Sequence, residues 1–360
     1  MDLKELNNLL ENLKAENENI CLPDYQKSTL NLSASILQHF GIKADHETFP
    51  PADEMLSQNF THVVVVVLSG LGMNILEKHL YYKDFLRRNL LTDYSSVLNA
   101  KSPIENGLQD YESIIEKINN SGNAKAYSVL PFGENPHTEL NDWIEAIRKT
   151  CKNEQKTFTY AFWQEPDTTL HQKGTKSNDV AKIVAELNEK MTYLCEETPH
   201  TLFFITADHG HTDIRNDFLQ ENYPEITKML SRQPSMEARA ISFFVKPEYL
   251  QTFPEEFKRT FYKDYILLTK EEALTLELFG PDNTRENPPE LGDFIALAIT
   301  PRTLLWNKSQ GQYKSHHSGL TKAEMRIPLI SYNSRPRHFG TIIYYSLVAM
   351  AVIVLLLAIF

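Results

Sequence analysis

The chain has 360 residues, of which 42% are hydrophobic and 11% aromatic, enough to bury a large core and to exclude a disordered tail. Its formal net charge of −11, without a lysine or arginine block, argues against nucleic acid as a partner, because binding to a phosphate backbone depends on clustered basic residues. The cysteines, Cys21, Cys151 and Cys195, lack paired spacing, which favours a reducing compartment and no thiolate metal cluster.

The first predicted element is an N-terminal helix over residues 1–21. Leucines at positions 3, 6, 9, 10 and 13 recur at helical spacing among charged residues. This pattern lacks the apolar core of a cleaved secretion signal. We therefore expect the domain that follows to face the cytoplasm.

Apolar runs rich in β-branched and aromatic residues predict the strands of a single domain over residues 22–334. Most runs are apolar throughout, which is typical of strands covered on both faces. Helical patterns over Leu140–Lys149 and Val180–Leu194 separate several of them. The sequence therefore predicts an α/β fold with a mainly parallel central sheet. The predicted strands are His62–Leu68, Ala124–Leu130, Thr157–Trp163, Thr201–Thr206, Ala240–Val245, Phe294–Ile299 and Ile327–Ser331.

The C-terminal segment, residues 341–360, contains no charged side chain and ends in an aliphatic run. At about 1.5 Å per residue, a helix of this length can cross roughly 30 Å of hydrocarbon. Arg335 and Arg337 precede it, and basic residues beside a span favour the cytoplasmic side. We predict a single-pass C-terminal transmembrane anchor; a buried core helix and a lipid-anchor signal are the alternatives.

The strongest chemical signal is the sequence Asp208-His209-Gly210, which follows an apolar run. Ligands of open α/β sheets bind beyond the carboxyl ends of the strands. A carboxylate next to an imidazole suits Zn²⁺ or Mn²⁺, although the same residues also fit a plain strand-ending turn. His211 and Asp213 either orient a ligand by hydrogen bonding or face solvent.

Two further motifs add candidate ligands. Asp167 also follows an apolar run, and His171 comes four residues later, so a helix beginning there would place both side chains on one face. The alternative is a helix N-cap with a surface histidine. His316 and His317 precede the last apolar run, and one of them is a candidate third ligand.

Together these motifs resemble the alkaline phosphatase superfamily, in the branch of type I phosphodiesterases and nucleotide pyrophosphatases. The resemblance runs from about Leu22 to about Ser331 and includes the closing pattern at residues 319–329. It implies an alkaline-phosphatase-like three-layer sandwich. It also implies a metal-dependent hydrolase of a phosphoester or phosphoanhydride, acting on a phosphorylated small molecule.

The resemblance implies one or two divalent ions, zinc or alternatively manganese. Asp167, His171 and His317 match the ligands of the first site. Asp208 and His209 match two ligands of the second site.

Two positions depart from the family pattern. Ser69 stands where the family has a further aspartate ligand, and the segment expected to hold the nucleophile, between Ser95 and Gly107, shows no clear match. One hypothesis is a hydrolase of reduced activity, in which Ser69, Ser95, Ser96 or a water molecule attacks. A second is a membrane-tethered protein that binds metal or a phosphorylated ligand without turnover. A third is that the retained residues are inherited scaffold and bind no metal.

Overall fold

The computed structural model describes residues 17–334 apart from 59, 97–111, 153 and 281–290, together with residues 5, 6, 8, 11, 12 and 15. Of the 21 residues predicted as the N-terminal helix, ten lie outside this part; residues 5, 6, 8, 11, 12 and 15 are helical, whereas residues 17–21 are not. The domain boundaries stay predictions. The strands are β1 (His62–Leu68), β2 (Leu90–Ser95), β3 (Lys125–Val129), β4 (Thr157–Trp163), β5 (Thr201–Thr206), β6 (Thr212–Asp213), β7 (Arg215–Phe218), β8 (Ser235–Glu237), β9 (Ala240–Phe243), β10 (Tyr265–Thr269), β11 (Phe294–Ala298), β12 (Arg302–Leu305), β13 (Ser315–His316) and β14 (Arg326–Ser334).

The central sheet has, within the described residues, six strands in the order β2-β14-β5-β1-β4-β3. The neighbours β5, β1, β4 and β3 are parallel, whereas β14 is antiparallel to both β5 and β2. Strands β1 and β5 are buried along their whole length, which explains their uninterrupted apolar sequences. The predicted mainly parallel sheet is therefore present, with an antiparallel extension at one side.

Helices cover both faces of this sheet. On one side α1 (Thr29–His39) contacts α2 (Pro50–Leu56) and α5 (Ile114–Ser121). On the other, the long helix α8 (Asn178–Glu196) contacts the remaining helices of this part of the chain. These are α3 (Met73–His79), α4 (Phe85–Arg88), α6 (Leu140–Thr150) and α7 (Asp167–Lys173).

A second, antiparallel sheet has the order β10-β11-β9-β8 in the described part of the chain. It contains the runs Ala240–Val245 and Phe294–Ile299, which the sequence alone assigns to the central sheet. Phenylalanines of α11 (Phe253–Phe261) pack against it, and a separate apolar cluster covers other residues of its strands, so these strands also read as continuously apolar. The other helices here are α9 (Leu219–Asn222), α10 (Pro224–Thr227), α12 (Lys270–Thr275) and α13 (Lys322–Met325).

The fold prediction needs one correction, which concerns the C-terminal transmembrane helix. Among the residues that the structure describes, no helix is long and apolar enough to cross a bilayer. The predicted segment, residues 341–360, lies outside the described residues. The fold established here is the α/β domain alone.

Candidate metal centre

Three neighbouring parallel strands, β4, β1 and β5, end at the same edge of the central sheet. Ser69 directly follows β1, Asp167 begins α7 shortly after β4, and Asp208 lies two residues beyond β5. The backbone N–H of Asp167 donates to the Ser69 carbonyl at 3.0 Å, which joins two of these turns. This edge is where open α/β sheets bind their ligands.

Two glycines let the turns after β1 and β5 approach closely. A Cβ atom at Gly72 would lie 2.3 Å from the Cα atom of Gly210, and a Cβ atom at Gly210 would lie 2.1 Å from the Ala323 carbonyl oxygen. Only glycine fits such a close backbone approach. The approach brings the Asp208 carboxylate within reach of the Ser69 hydroxyl.

The carboxylate of Asp167 faces a group of histidines. Its Oδ1 atom lies 2.6 Å from Nε2 of His211, 3.5 Å from Nε2 of His171, 3.9 Å from Nε2 of His209 and 4.0 Å from Nε2 of His317. Ligand atoms bound to one tetrahedral ion at about 2.0–2.1 Å are roughly 3.3 Å apart. Small side-chain shifts would therefore bring these atoms to binding distance of one cation. Asp167, His171, His209, His211 and His317 are here called the Asp167 cluster.

The second ring nitrogen shows how two of these imidazoles are protonated. Nδ1 of His171 lies 3.1 Å from the Ser315 carbonyl oxygen, and Nδ1 of His209 lies 3.2 Å from that of Gly210. A carbonyl oxygen only accepts, so we assign a proton to Nδ1 in both rings, which leaves a lone pair on Nε2 whenever the ring is neutral. Metal-binding histidines are commonly held in this way. The donor set fits a divalent cation.

Burial and neighbouring charges set the ionisation of the cluster. Burial opposes the ionisation of Asp167, but the hydrogen bond with His211 and the charge of His209 hold its pKa well below the usual range. Burial lowers the pKa of His211 to about 4 and lowers the pKa of His317 well below its usual value. For His209, burial is outweighed by the charges of Asp208 and Asp167, which raise its pKa. An ionised carboxylate among mostly neutral imidazoles is ready to bind metal.

The carboxylate of Asp208 is held by three donors among the described residues. Its Oδ2 atom accepts from the Ser69 hydroxyl at 2.8 Å. Its Oδ1 atom accepts from the backbone N–H groups of Gly70 at 3.0 Å and His209 at 2.9 Å. Oδ1 also lies 3.6 Å from Nε2 of His209. Because His209 faces both Asp208 and Asp167, the two predicted metal sites adjoin at this imidazole.

The three serines considered as attacking groups have different partners. The Ser69 hydroxyl donates to a carboxylate, which can take its proton. The hydroxyl of Ser95 donates to the Ser96 carbonyl at 2.7 Å, and that of Ser96 donates to the Asp208 carbonyl at 2.6 Å. A backbone carbonyl is not a base, so the geometry favours Ser69. Residues 97–111 of the expected nucleophile segment lie outside the described residues.

The fold brings all the predicted ligands to one edge of the sheet, and their role in binding metal stays a prediction. The sequence did not identify His211 as a candidate ligand. Its side chain is 0% exposed and contacts Asp167, whereas Asp213 is exposed. Alternate residues of an extended chain face the same side, so the position of His211 two residues after His209 was the available signal.

A family model described as type I phosphodiesterase / nucleotide pyrophosphatase matches residues 103–316. The chain belongs to this family. The matched region contains Asp167, His171, Asp208 and His209, and it ends one residue before His317. The predicted family is thereby confirmed. A comparison with curated proteins gives no match.

Solved structures of ectonucleotide pyrophosphatase/phosphodiesterase 5 share the fold. The human protein is similar with a TM-score of 0.55 at 15% identity, over 75% of this chain and 87% of that chain. An inactive murine variant in complex with AMP gives a TM-score of 0.51 at 15% identity, over 76% and 88% of the two chains. A further murine structure gives 0.51 at 15% identity, over 75% and 88%. At this identity the likeness shows the fold alone.

In this phosphodiesterase-family chain a buried ion pair fixes the loop after His317. The Arg239 and Glu324 side chains are 0% and 1% exposed and form hydrogen bonds of 2.6 and 2.7 Å. Glu324 also accepts from the Gly319 N–H at 2.8 Å. We expect Arg239→Met to lower the free energy of unfolding by about 3–5 kcal/mol, because it leaves the Glu324 carboxylate buried without its cation.

Urea unfolding measures this loss, and a surface ion pair provides the control. Arg326 and Asp93 pair at 2.7 Å with side chains 46% and 35% exposed. Arg326→Met should cost only about 0–1 kcal/mol, since solvent screens exposed pairs. Equal losses in the two variants would contradict a special role for the buried pair.

The folded phosphodiesterase domain should lose stability in mild acid. His316 is buried, and burial together with the charge of His171 lowers its pKa well below the usual value. In the unfolded chain the pKa of a histidine is about 6.5. Below that pH His316 binds a proton in the unfolded chain but not in the folded chain. The free energy of unfolding should therefore fall by up to about 1.4 kcal/mol per pH unit for this residue.

Urea unfolding of the metal-free chain at about pH 7.5 and about pH 5.5 measures the effect. His316→Gln should show a shallower dependence on pH than the wild type. Parallel profiles would show that His316 does not contribute.

Proposed function

We propose that this chain hydrolyses a phosphodiester or phosphoanhydride bond in a nucleotide-like substrate, using a divalent cation held by the Asp167 cluster. The arrangement around Asp167 carries the proposal. Nε2 of His171 and Nε2 of His209 face the same ionised carboxylate oxygen at 3.5 and 3.9 Å in a mostly buried site, and Nδ1 of each ring is directed at a carbonyl oxygen. Buried anionic and lone-pair groups are costly to hold together unless a cation neutralises them.

The residues of the site would divide the chemistry between them. When bound, the cation supplies positive charge that neutralises phosphate oxygens and polarises the phosphorus centre. Ser69 is the proposed attacking hydroxyl, because it already donates to Asp208 at 2.8 Å and can pass its proton to that carboxylate as its oxygen bonds to phosphorus. The bond from phosphorus to the leaving oxygen breaks as that oxygen takes the proton from Asp208, and water then hydrolyses the phosphoserine to restore Ser69. The N–H groups of Gly70 and His209 fix the orientation of Asp208 for this step.

The nucleotide-like substrate is proposed from the family and from its structural relatives. The matched family includes nucleotide pyrophosphatases by its description, and the murine relative was solved in complex with AMP. Both are properties of other proteins. They are the reason for testing phosphodiesters and phosphoanhydrides first.

A second candidate function is binding of metal or a phosphorylated ligand without turnover. The hydrogen bond between Ser69 and Asp208 supports it, because a serine at this position cannot supply a charged metal ligand. Under this hypothesis the Ser69 hydroxyl holds Asp208 and does not attack phosphorus.

Hydrolysis of bis-p-nitrophenyl phosphate by the full-length chain separates the two functions. The proposal expects turnover that chelation removes and that Zn²⁺ or Mn²⁺ restores. His317→Ala should abolish it, whereas His316→Ala, in the adjacent buried residue, should retain it. Ser69→Ala should also remove turnover if Ser69 attacks. Metal binding by a folded chain without any turnover would instead support the binding function.

A further inference from the structure

The hydrogen bonds of His211 determine where its proton lies. The Ser315 hydroxyl has a single proton and donates it to the Leu170 carbonyl at 2.6 Å. Nδ1 of His211 lies 3.0 Å from the same Ser315 oxygen, so Nδ1 must be the donor in that bond. Nε2 of His211 then directs its lone pair at Oδ1 of Asp167, only 2.6 Å away.

A lone pair and a carboxylate oxygen at this distance require a positive charge. The imidazole of His211 is 0% exposed, so solvent does not screen the contact. Either a second proton on His211 or a metal ion can supply the charge. The surroundings favour an ion, because Nε2 of His171 and Nε2 of His209 also face the same oxygen, at 3.5 and 3.9 Å, while the Nδ1 atom of each ring faces a carbonyl oxygen.

The ligand atoms that converge most closely come from both of the metal sites that the family resemblance implies. Asp167, His209, His211 and His317 each offer one atom, and these atoms all lie within 4.8 Å of one another. His171 faces Asp167 at 3.5 Å but is not a member of this group. Four such ligands are the usual number for one tetrahedral ion.

Asp208, by contrast, is already compensated by neutral donors. Its two oxygens accept hydrogen bonds from the Ser69 hydroxyl and from the N–H groups of Gly70 and His209. Hydrogen bonds of this kind stabilise a carboxylate without a neighbouring cation. Asp208 therefore does not require a second ion.

We propose that the chain binds one metal ion rather than two. Its ligands are His211, Asp167, His209 and His317. The hydrogen bond between Ser69 and Asp208 takes the place of a second ion. This inference rests on the proposed metal-dependent function and specifies the centre that performs it. It departs from the two-site assignment, in which His171 is a ligand and His211 is not.

Titration of the metal-free, full-length chain with Co²⁺, followed by its visible absorption and by calorimetry, tests the proposal without any substrate. We expect saturation at about one ion per chain, with the strong absorption of a four-coordinate site. His211→Gln should weaken binding by more than the roughly 10–100-fold expected for loss of an orienting partner, and it should change the shape of the spectrum. His171→Gln should weaken binding less and preserve the spectrum.

His316→Gln is the matched control, because it makes the same change in a neighbouring buried histidine outside the ligand group. Far-UV circular dichroism confirms that each variant is folded. X-ray absorption of the Co²⁺-loaded wild type counts imidazole ligands without any variant, and we expect three. Two ions per chain, no binding, or an unchanged spectrum in His211→Gln would each overturn the proposal. A chain with one ion and no turnover would contradict only the proposed hydrolysis.

Discussion

Asp167→Asn should abolish both metal binding and hydrolysis. Oδ1 of Asp167 is the atom that the Nε2 atoms of the cluster face, and the amide that replaces the carboxylate lacks its negative charge. We expect metal affinity to fall by more than about 100-fold, since even an outer partner of a metal ligand contributes roughly 10–100-fold. Calorimetric titration with Zn²⁺ and hydrolysis of bis-p-nitrophenyl phosphate measure the two losses.

Asp213→Asn is the control for this variant. Asp213 lies near the same edge, where its Oδ1 accepts from the Thr175 N–H at 2.7 Å, and the asparagine amide oxygen can keep that bond. This variant should retain metal and activity. An Asp167→Asn chain that binds metal as tightly as the wild type would contradict the assignment of Asp167 as the central ligand.

Ser69→Asp should create a second metal site. Oγ of buried Ser69 lies 2.8 Å from Oδ2 of Asp208, whose side chain is 35% exposed, so the substitution places two carboxylates side by side. Two such groups cannot both ionise without a cation between them. We expect binding to rise from about one ion per chain to about two, as in enzymes that use paired ions.

Metal analysis after gel filtration measures this change. Ser69→Asn has nearly the same shape without the charge and should stay at about one ion per chain. The proposal of a single ion would be wrong if the wild type already held two. The idea that Ser69 replaces a ligand would be wrong if a folded Ser69→Asp chain still held one.

The strands that carry the site could be predicted from the sequence almost to the residue. Strands β1, β4 and β5 have the predicted bounds, because central parallel strands are buried on both faces and read as unbroken apolar runs. Strand β2 was missed, since as an edge strand it is only partly buried and contains polar residues such as Thr92 and Asp93.

The assignment of strands to sheets could not be predicted. Strands β9 and β11 are as apolar as the central strands but belong to the antiparallel sheet. Their burial comes from α11 and from a second apolar cluster, and a run of apolar residues does not show which elements cover it. Pairing between distant segments is a property of the folded chain.

The sequence predicts the candidate ligands that follow strand ends. It does not predict the roles of residues that depend on contacts with distant parts of the chain. Asp167 and Asp208 lie four and two residues beyond the ends of β4 and β5, so the rule for strand ends located them. The role of His211 depends on Ser315, which lies 104 residues further along the chain. The partner of Ser69, Asp208, is 139 residues away. Such long-range contacts are visible only in the structure.

Reactivation of the metal-free chain tests the central claim most directly. Zn²⁺ is added in steps to the full-length protein, and bound metal and hydrolysis of bis-p-nitrophenyl phosphate are measured in the same samples. We predict that activity rises in proportion to bound metal and reaches its maximum near one ion per chain. Hydrolysis that persists in the metal-free chain, or saturation with metal that produces no hydrolysis, would contradict the account.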